Sequence, residues 1–535
     1  MPDNYERLSA HDATFLEFES PTTPMNVGGT SIFEGGPLMT PAGAVDVARI
    51  KQYLASQLHL IPRYRQRLAY VPVAGQPVWI DDDRFNLDYH VRHVALPQPG
   101  DERQLKWLSA DIQSRPLDRK RPLWELWIVE GLDAGRFATV TKAHHCMVDG
   151  ISGVDVATVT LRTTPDATIE PARRWRPRRA PPGVELLRDE VLRRARVPAA
   201  RQLAAGVARS DLRRSDYARG LAAIWSMLRA GLRSAANTPI NQAPGAYRRF
   251  DWLSLDLAEV KQIKNELGGT INDVVLATVA GAMRRFLQRR RVPLTGLAFR
   301  VAAPVNMRAP DDRRLGNRAS VWLMELPIQE RDPRRRLARI CDVTSHLKQS
   351  KQALGPDVLM QIADWAGPAM VTLSTRFATR MNPYNLIVTN VPGPQVPLYM
   401  LGARVLEGYP VVPLFENQAL GIALFSYAGR LCWGFNGDWD LLPDLPAFVE
   451  DVKHSFAELR ARSSPEVGLT RAKPRLPRAR GRSPHASTRA TSGRPTRPSR
   501  ANPAARATGG RSEPRGRVPA VRVRSRKPPP KGASK

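Results

Sequence analysis

Cysteine is scarce, with three in 535 residues. So few thiols exclude a disulfide-stapled scaffold and suit a reducing compartment. Long apolar runs are also lacking. No uncharged apolar run reaches the roughly 18 to 20 residues of a membrane-spanning helix. The opening, MPDNYERLSAHD, has no basic region followed by an apolar one, so no secretory signal is visible. Aromatic residues make up only 7%, and acids number 50 against 81 Lys and Arg. What is present excludes a wholly disordered chain: 42% of the residues are hydrophobic, enough for a sizeable core. The length allows roughly two to four domains. The expectation is an intracellular protein that is not integral to a membrane.

The net charge of +31 invites a nucleic-acid reading, so its location matters. Residues 461–535 carry a net +19, and residues 173–235 carry +11. The rest of the chain is nearly neutral. The terminal stretch is rich in Arg, Pro, Ser and Gly and almost free of large apolar residues. It cannot bury enough surface to offset ordering entropy and is expected to be disordered. It also lacks aromatic residues to stack on bases, and no recognition fold is visible, so nucleic-acid binding would be non-specific and salt-sensitive. Clustered arginines equally suit an anionic lipid surface.

The chain divides into residues 1–165, a basic helical connector at 166–240, residues 241–460 and the tail at 461–535. Val47, Ile50, Leu54 and Leu58 recur at helical spacing. Leu123–Val129 and Phe137–His145 read as strands. Thr270 with Asp273 offers an N-cap, opening a helix with Ile271, Val275, Thr278, Ala282 and Phe286 on one stripe. Ala419–Tyr427 and Arg430–Phe435 flank an Ala428-Gly429 turn and read as a hairpin. Mixed elements of this kind predict an α/β fold.

The sharpest local signal is His144-His145-Cys146-Met147-Val148-Asp149-Gly150, at an expected strand end. Side chains alternate on a strand, so only one of two adjacent histidines faces a given pocket. That argues against joint metal ligation. A neutral imidazole there suits a general base, since its unperturbed pKa is about 6.5. Asp149 lies beyond the strand end and is expected to brace the loop through an arginine, with Arg65 as the candidate partner. Cys146, facing away from His145, reads as a structural thiol.

This HHxxxDG pattern resembles the active-site motif of the CoA-dependent acyltransferase superfamily. Within it, the chain resembles the bacterial wax ester synthase/acyl-CoA:diacylglycerol acyltransferase family. Five features appear in order: LSAHDATFLEFESPTTPMNVGG near the start, Pro122-Leu123-Trp124, Asn272-Asp273, Asn306-Met307-Arg308 and Asn390-Val391-Pro392-Gly393-Pro394. The resemblance covers residues 1–460 and leaves out the tail.

It implies two chloramphenicol-acetyltransferase-like subdomains, each with a mixed sheet flanked by helices, and a tunnel between them with His145 at its centre. His144, Asp149 and Gly150 would support the site. Pro392 and Gly393 would fix a rigid turn lining the tunnel, and Leu123 and Trp124 would belong to the core and the channel wall. Asn272 and Asp273 either cap their helix or, for Asn272, donate toward the tunnel or the oxyanion. Asn306 and Arg308 either organise the site or form a loop salt bridge. The implied reaction moves a long-chain acyl group from acyl-CoA, a co-substrate, to the hydroxyl of a diacylglycerol or a long-chain alcohol. No metal or other cofactor is implied. The alternative is an enzyme of the same fold with an amine or polyketide alcohol as acceptor. The two basic segments are expected to hold a cytoplasmic enzyme peripherally against the inner membrane face or lipid inclusions.

Overall fold

The computed structural model describes residues 4–147, 159–196, 235–306, 319–349 and 382–463. In chain order the first part contains β1 (Tyr5–Arg7), α1 (Ala10–Phe18), β2 (Asn26–Phe33), α2 (Val47–Gln57), β3 (Gln66–Tyr70), β4 (Pro77–Asp81), α3 (Leu87–His90), β5 (Val91–Ala95), α4 (Glu102–Ser114), β6 (Trp124–Glu130), β7 (Phe137–His144) and α5 (Gly183–Arg196). The second part contains β8 (Arg248–Asp256), α6 (Leu257–Leu267), α7 (Ile271–Arg289), β9 (Arg300–Asn306), β10 (Ala319–Glu325), α8 (Pro333–Gln349), β11 (Leu386–Pro392), β12 (Tyr399–Met400), β13 (Ala403–Val411), β14 (Leu420–Tyr427), β15 (Arg430–Asp438) and α9 (Leu445–Ser463).

Two six-stranded mixed sheets result. One runs β12-β13-β2-β7-β6-β5 and the other β10-β9-β11-β14-β15-β8. In the first, β6 alternates as expected: Trp124, Leu126 and Ile128 are buried, while Glu125 and Trp127 are partly exposed. In the second, β11 pairs parallel to both β9 and β14. The hairpin reading holds, with Tyr427 paired to Arg430. Ala428 and Gly429 have φ of 44° and 83°. Two successive positive φ values match the twist of a two-residue hairpin turn.

Helix α7 starts where its cap chemistry says. Thr270 Oγ1 accepts from the Asp273 amide, and Asp273 Oδ2 accepts from the Thr270 amide. Such a cap is worth about 1 kcal/mol. The expected apolar stripe is too narrow a description. Every residue from Asp273 to Met283 is buried, whereas Ile271 is only partly so. The reason is tertiary: α6, α8 and α9 all pack on α7, closing the faces that a surface helix would keep wet.

The two sheets share chain. Strand β13, from the second part of the sequence, pairs antiparallel with β2 in the first sheet. Its Tyr409 ring stacks on Trp252 of β8, with centroids 4.8 Å apart. Gly434 of β15 lies so close that a Cβ there would sit 1.8 Å from the Pro410 carbonyl oxygen. Lys106 of α4 ties the same seam by an ion pair to Asp251, at 2.7 Å.

The described part of the connector docks on the three-stranded sheet β1-β4-β3. Leu186 of α5 packs with Val71, Val78 and Ile80. Arg178 grips Asp81 through its amide and guanidinium, and buried Glu190 meets Arg7 and Arg193. The first three residues of the expected tail, 461–463, instead close α9; the rest of it lies outside the described residues, as do connector residues 197–234.

Candidate active site

Strand β7 ends at His144, one residue earlier than the sequence pattern implies, and His145–Met147 form a 3₁₀ turn. Alternation therefore places His144 but not His145, which the turn aims. His144 is fully buried. Its amide donates to the Leu123 carbonyl at 2.9 Å, and it sits opposite Asn26 of β2. Asn26 in turn donates Nδ2 to the carbonyls of Gln113 and Arg115. Lys142 is buried two residues upstream of His144. Burial, only partly offset by Glu125 at 3.8 Å, pushes its ammonium down to about 8.

His144 Nδ1 accepts a hydrogen bond from the Cys146 amide at 3.1 Å, which assigns the ring proton to Nε2. That nitrogen stands 3.4 Å from Glu19 Oε1, within ionic reach but without the geometry of a hydrogen bond. Burial raises the Glu19 pKa, but contacts with His144 and Arg119 outweigh it and hold the carboxyl down to about 2. Arg119 Nε donates to Glu19 Oε2 at 2.9 Å.

His145 is half-buried, and its ring stacks on Phe15 of α1 with centroids 3.7 Å apart and planes 10° apart. Its amide donates to the Met25 carbonyl at 2.8 Å. Nδ1 is enclosed without a hydrogen-bond partner. Burial pushes the imidazole down to about 4, its own backbone carbonyl opposing and His11 and His144 assisting. This ring is neutral at neutral pH. Cys146 is buried beside it, and burial drives its thiol well up, so it is a poor nucleophile.

Of the other sequence motifs, Pro122-Leu123-Trp124 meets the end of β7, and the others make contacts of their own. Pro122, Leu123 and Trp124 lead into β6, with Leu123 meeting the His144 amide. Trp124 donates Nε1 to the Tyr64 carbonyl and stacks on His90. Asp273 also accepts from Thr344, so its carboxylate is used in capping and packing. Asn272, on the first turn of α7, accepts from Asn390 Nδ2 at 2.7 Å, joining two motifs over a hundred residues apart. Pro392 ends β11. Gly393 follows where a Cβ would lie 2.4 Å from the Phe425 ring and from the Ser426 carbonyl oxygen. Arg65 is buried over the Trp175 ring at 4.5 Å, with Asp81 as its nearby carboxylate. Asp149, Gly150 and Arg308 lie outside the described residues, and Asn306 ends β9.

Sequence reasoning missed Phe15, Glu19 and Arg119. The first two lie inside the quoted LSAHDATFLEFES stretch, yet nothing local marks them as partners of residues near 145. Among the described residues no group of three or more His, Cys, Asp or Glu side chains is placed to hold a metal ion.

Residues 8–275 match the family described as the wax ester synthase/diacylglycerol acyltransferase catalytic domain, and residues 315–460 match its C-terminal domain. A Mycobacterium tuberculosis H37Rv protein that carries the name of a diacylglycerol O-acyltransferase is 34% identical over 466 residues, spanning 85% of this chain and 90% of its own. The wax ester synthase/diacylglycerol acyltransferase of Marinobacter aquaeolei VT8 superposes with a TM-score of 0.62 at 28% identity, covering 86% of this chain and 99% of its own. The first condensation domain of the CDA synthetase shares the fold, with a TM-score of 0.52 at 17% identity over 86% of this chain and 97% of its own.

Proposed function

This chain belongs to the wax ester synthase/diacylglycerol acyltransferase family, and we propose that His145 is the general base of its acyl transfer. The protein is an acyltransferase. The donor in this reading is a long-chain acyl-CoA, and the acceptor is the hydroxyl of a diacylglycerol or a long-chain alcohol. His145 takes the acceptor proton as the oxygen attacks the thioester carbonyl. The tetrahedral oxyanion collapses, the carbon–sulfur bond breaks, and His145 returns the proton to the CoA thiolate. No other cofactor enters the step. The enclosed Nδ1 leaves Nε2 as the reacting nitrogen.

The observation that carries this reading is the half-buried ring held against Phe15 at the end of β7, which burial keeps neutral at neutral pH and so open to a proton. General-base help contributes roughly 10²- to 10⁴-fold, and holding two greasy substrates in line supplies much of the rest. Asp149 and Gly150 support the loop after His145 in this reading, with Arg65 as a candidate brace. Asn306 and Arg308 organise the site or its CoA side in this reading, and Gly393 keeps the turn after β11 rigid.

The test is an acceptor panel with labelled palmitoyl-CoA, run on wild type and His145→Ala. The variant is expected to lose at least about 100-fold in rate. Wild-type ester formation by it would remove His145 from the chemistry. Ester on the diacylglycerol or the alcohol supports the lipid acceptor. Product only on an amine or a polyketide alcohol would replace it.

The partner surface in this reading is anionic lipid. No helix among the described residues is long and apolar enough to cross a membrane. Helix α5 instead turns Val184, Arg188, Val191 and Leu192 outward together, at the i, i+4, i+7, i+8 spacing of one face. Exposed Arg173, Arg174, Arg176 and Arg179 precede it. Exposed apolar side chains on a helix that follows exposed arginines suit peripheral binding at a lipid surface.

A further inference from the structure

We infer that Glu19, clamped by Arg119, is the positioning residue that sets the turn presenting His145. This rests on the reading of His145 as the base. Glu19 ends α1 and has an 8% exposed side chain. One of its oxygens serves two partners: Oε1 accepts from the Met25 amide at 3.3 Å and faces His144 Nε2 at 3.4 Å. Both lead to the same place. The Met25 carbonyl receives the His145 amide, and His144 Nδ1 receives the Cys146 amide. The two amides that flank the turn are therefore held by groups that Glu19 holds.

The other oxygen, Oε2, takes the Arg119 guanidinium at 2.7 and 2.9 Å. Arg119 also donates to the Leu16 carbonyl at 2.8 Å, in the last turn of α1. Phe15, the face on which His145 stacks, is the neighbouring residue. A single clamp therefore sets both the carboxylate under His144 and the ring against His145.

The carboxylate has a second task. It favours a proton on His144 Nε2, which keeps Nδ1 free as an acceptor. The opposite tautomer would set two N–H groups against each other at Nδ1 and break the turn. A neutral amide in place of the carboxylate selects the tautomer less strongly. A displacement of the reacting nitrogen by on the order of 1 Å costs about 100-fold. The role is positional, since Glu19 acts on His145 through Met25 and His144.

The experiment uses the full chain with Glu19→Gln, Glu19→Asp and Arg119→Lys beside His145→Ala, under saturating acceptor. Arg119 is itself 37% exposed, so Glu19→Gln strands no fully buried cation. Glu19→Gln is expected to lower kcat by roughly 10- to 100-fold and leave KM for palmitoyl-CoA within about twofold. Arg119→Lys keeps the charge and should recover part of that loss. Glu19→Asp, one methylene short, should not. In selectively ¹⁵N-histidine-labelled protein, His144 (assigned by loss of its signal in His144→Asn) should show Nε2–H in wild type and a mixture in Glu19→Gln. Should Glu19→Gln fold poorly, the Glu19→Asp rate and its His144 signal carry the same test. Wild-type kcat per folded molecule, or a lower melting temperature with kcat and tautomer unchanged, overturns the inference. Activity surviving in His145→Ala would instead overturn the base reading, so the two failures are distinct.

Discussion

His145 differs from an imidazole in water because one of its faces is covered by Phe15 and its Nδ1 is enclosed. Both disfavour the charged form. Its ordinary value of 6.5 falls to about 4, so the folded protein binds fewer protons than the unfolded chain between those values. Stability linked to this residue therefore rises with pH across that window, is complete above it and is lost as pH falls through it. The same shift predicts that the acid limb of kcat/KM lies near pH 4 rather than 6.5. Phe15→Ala, by letting water reach the ring, should move the limb upward. A wild-type limb near 6.5, unmoved by Phe15→Ala, would contradict the desolvated ring. Glu19 responds in a lower window: it favours the fold above its ordinary value of 4.5, and that contribution fades as pH falls toward 2.

Motif residues gather at the ends of elements. The last turn of α1, the end of β7, the first turn of α7 and the end of β11 all supply motif residues, because strand and helix termini have backbone groups left to bond. Asn272 and Asn390 show how two ends are pinned. Their amides meet at 2.7 Å, one from the start of a buried helix and one from a central strand. Asn272→Ala, Asn390→Ala and the double variant should give a coupling energy near 1 kcal/mol in denaturant unfolding. Strict additivity within about 0.3 kcal/mol would mean the pair is not coupled. Gly393 beside it admits no larger residue, since its Cβ would press on Phe425, which packs against the core of the first sheet.

At the scale of the molecule, β13 joins the two sheets covalently as well as by contact. The strand belongs to the first sheet, yet β14 follows it directly into the second. The Trp252–Tyr409 stack and the Gly434–Pro410 approach then close the seam. Deleting residues 465–535 should leave acyl transfer intact and weaken flotation with vesicles containing phosphatidylserine. Val184→Ser with Val191→Ser and Leu192→Ser should weaken it further, because their side chains are already exposed and cost the fold little. Flotation unchanged by both, at moderate salt, would count against the lipid surface as partner.

Local chemistry was readable from sequence alone. The Thr270–Asp273 cap, the Ala428-Gly429 turn and the alternation of β6 depend on residues two to four positions apart, and each appears as expected. So did the motif that names the family, because its five pieces keep their order however the chain folds. The clamp under the histidines was not readable. Glu19 and Arg119 are a hundred residues apart, and Phe15 and His145 are farther. Nor was the burial of α7 on every side, or the transfer of β13 to the first sheet. The sequence by itself determined caps, turns, charge placement and family. Only the tertiary structure decided which distant side chains meet, because burial and ion pairing depend on which elements pack together, and spacing along the chain does not encode that.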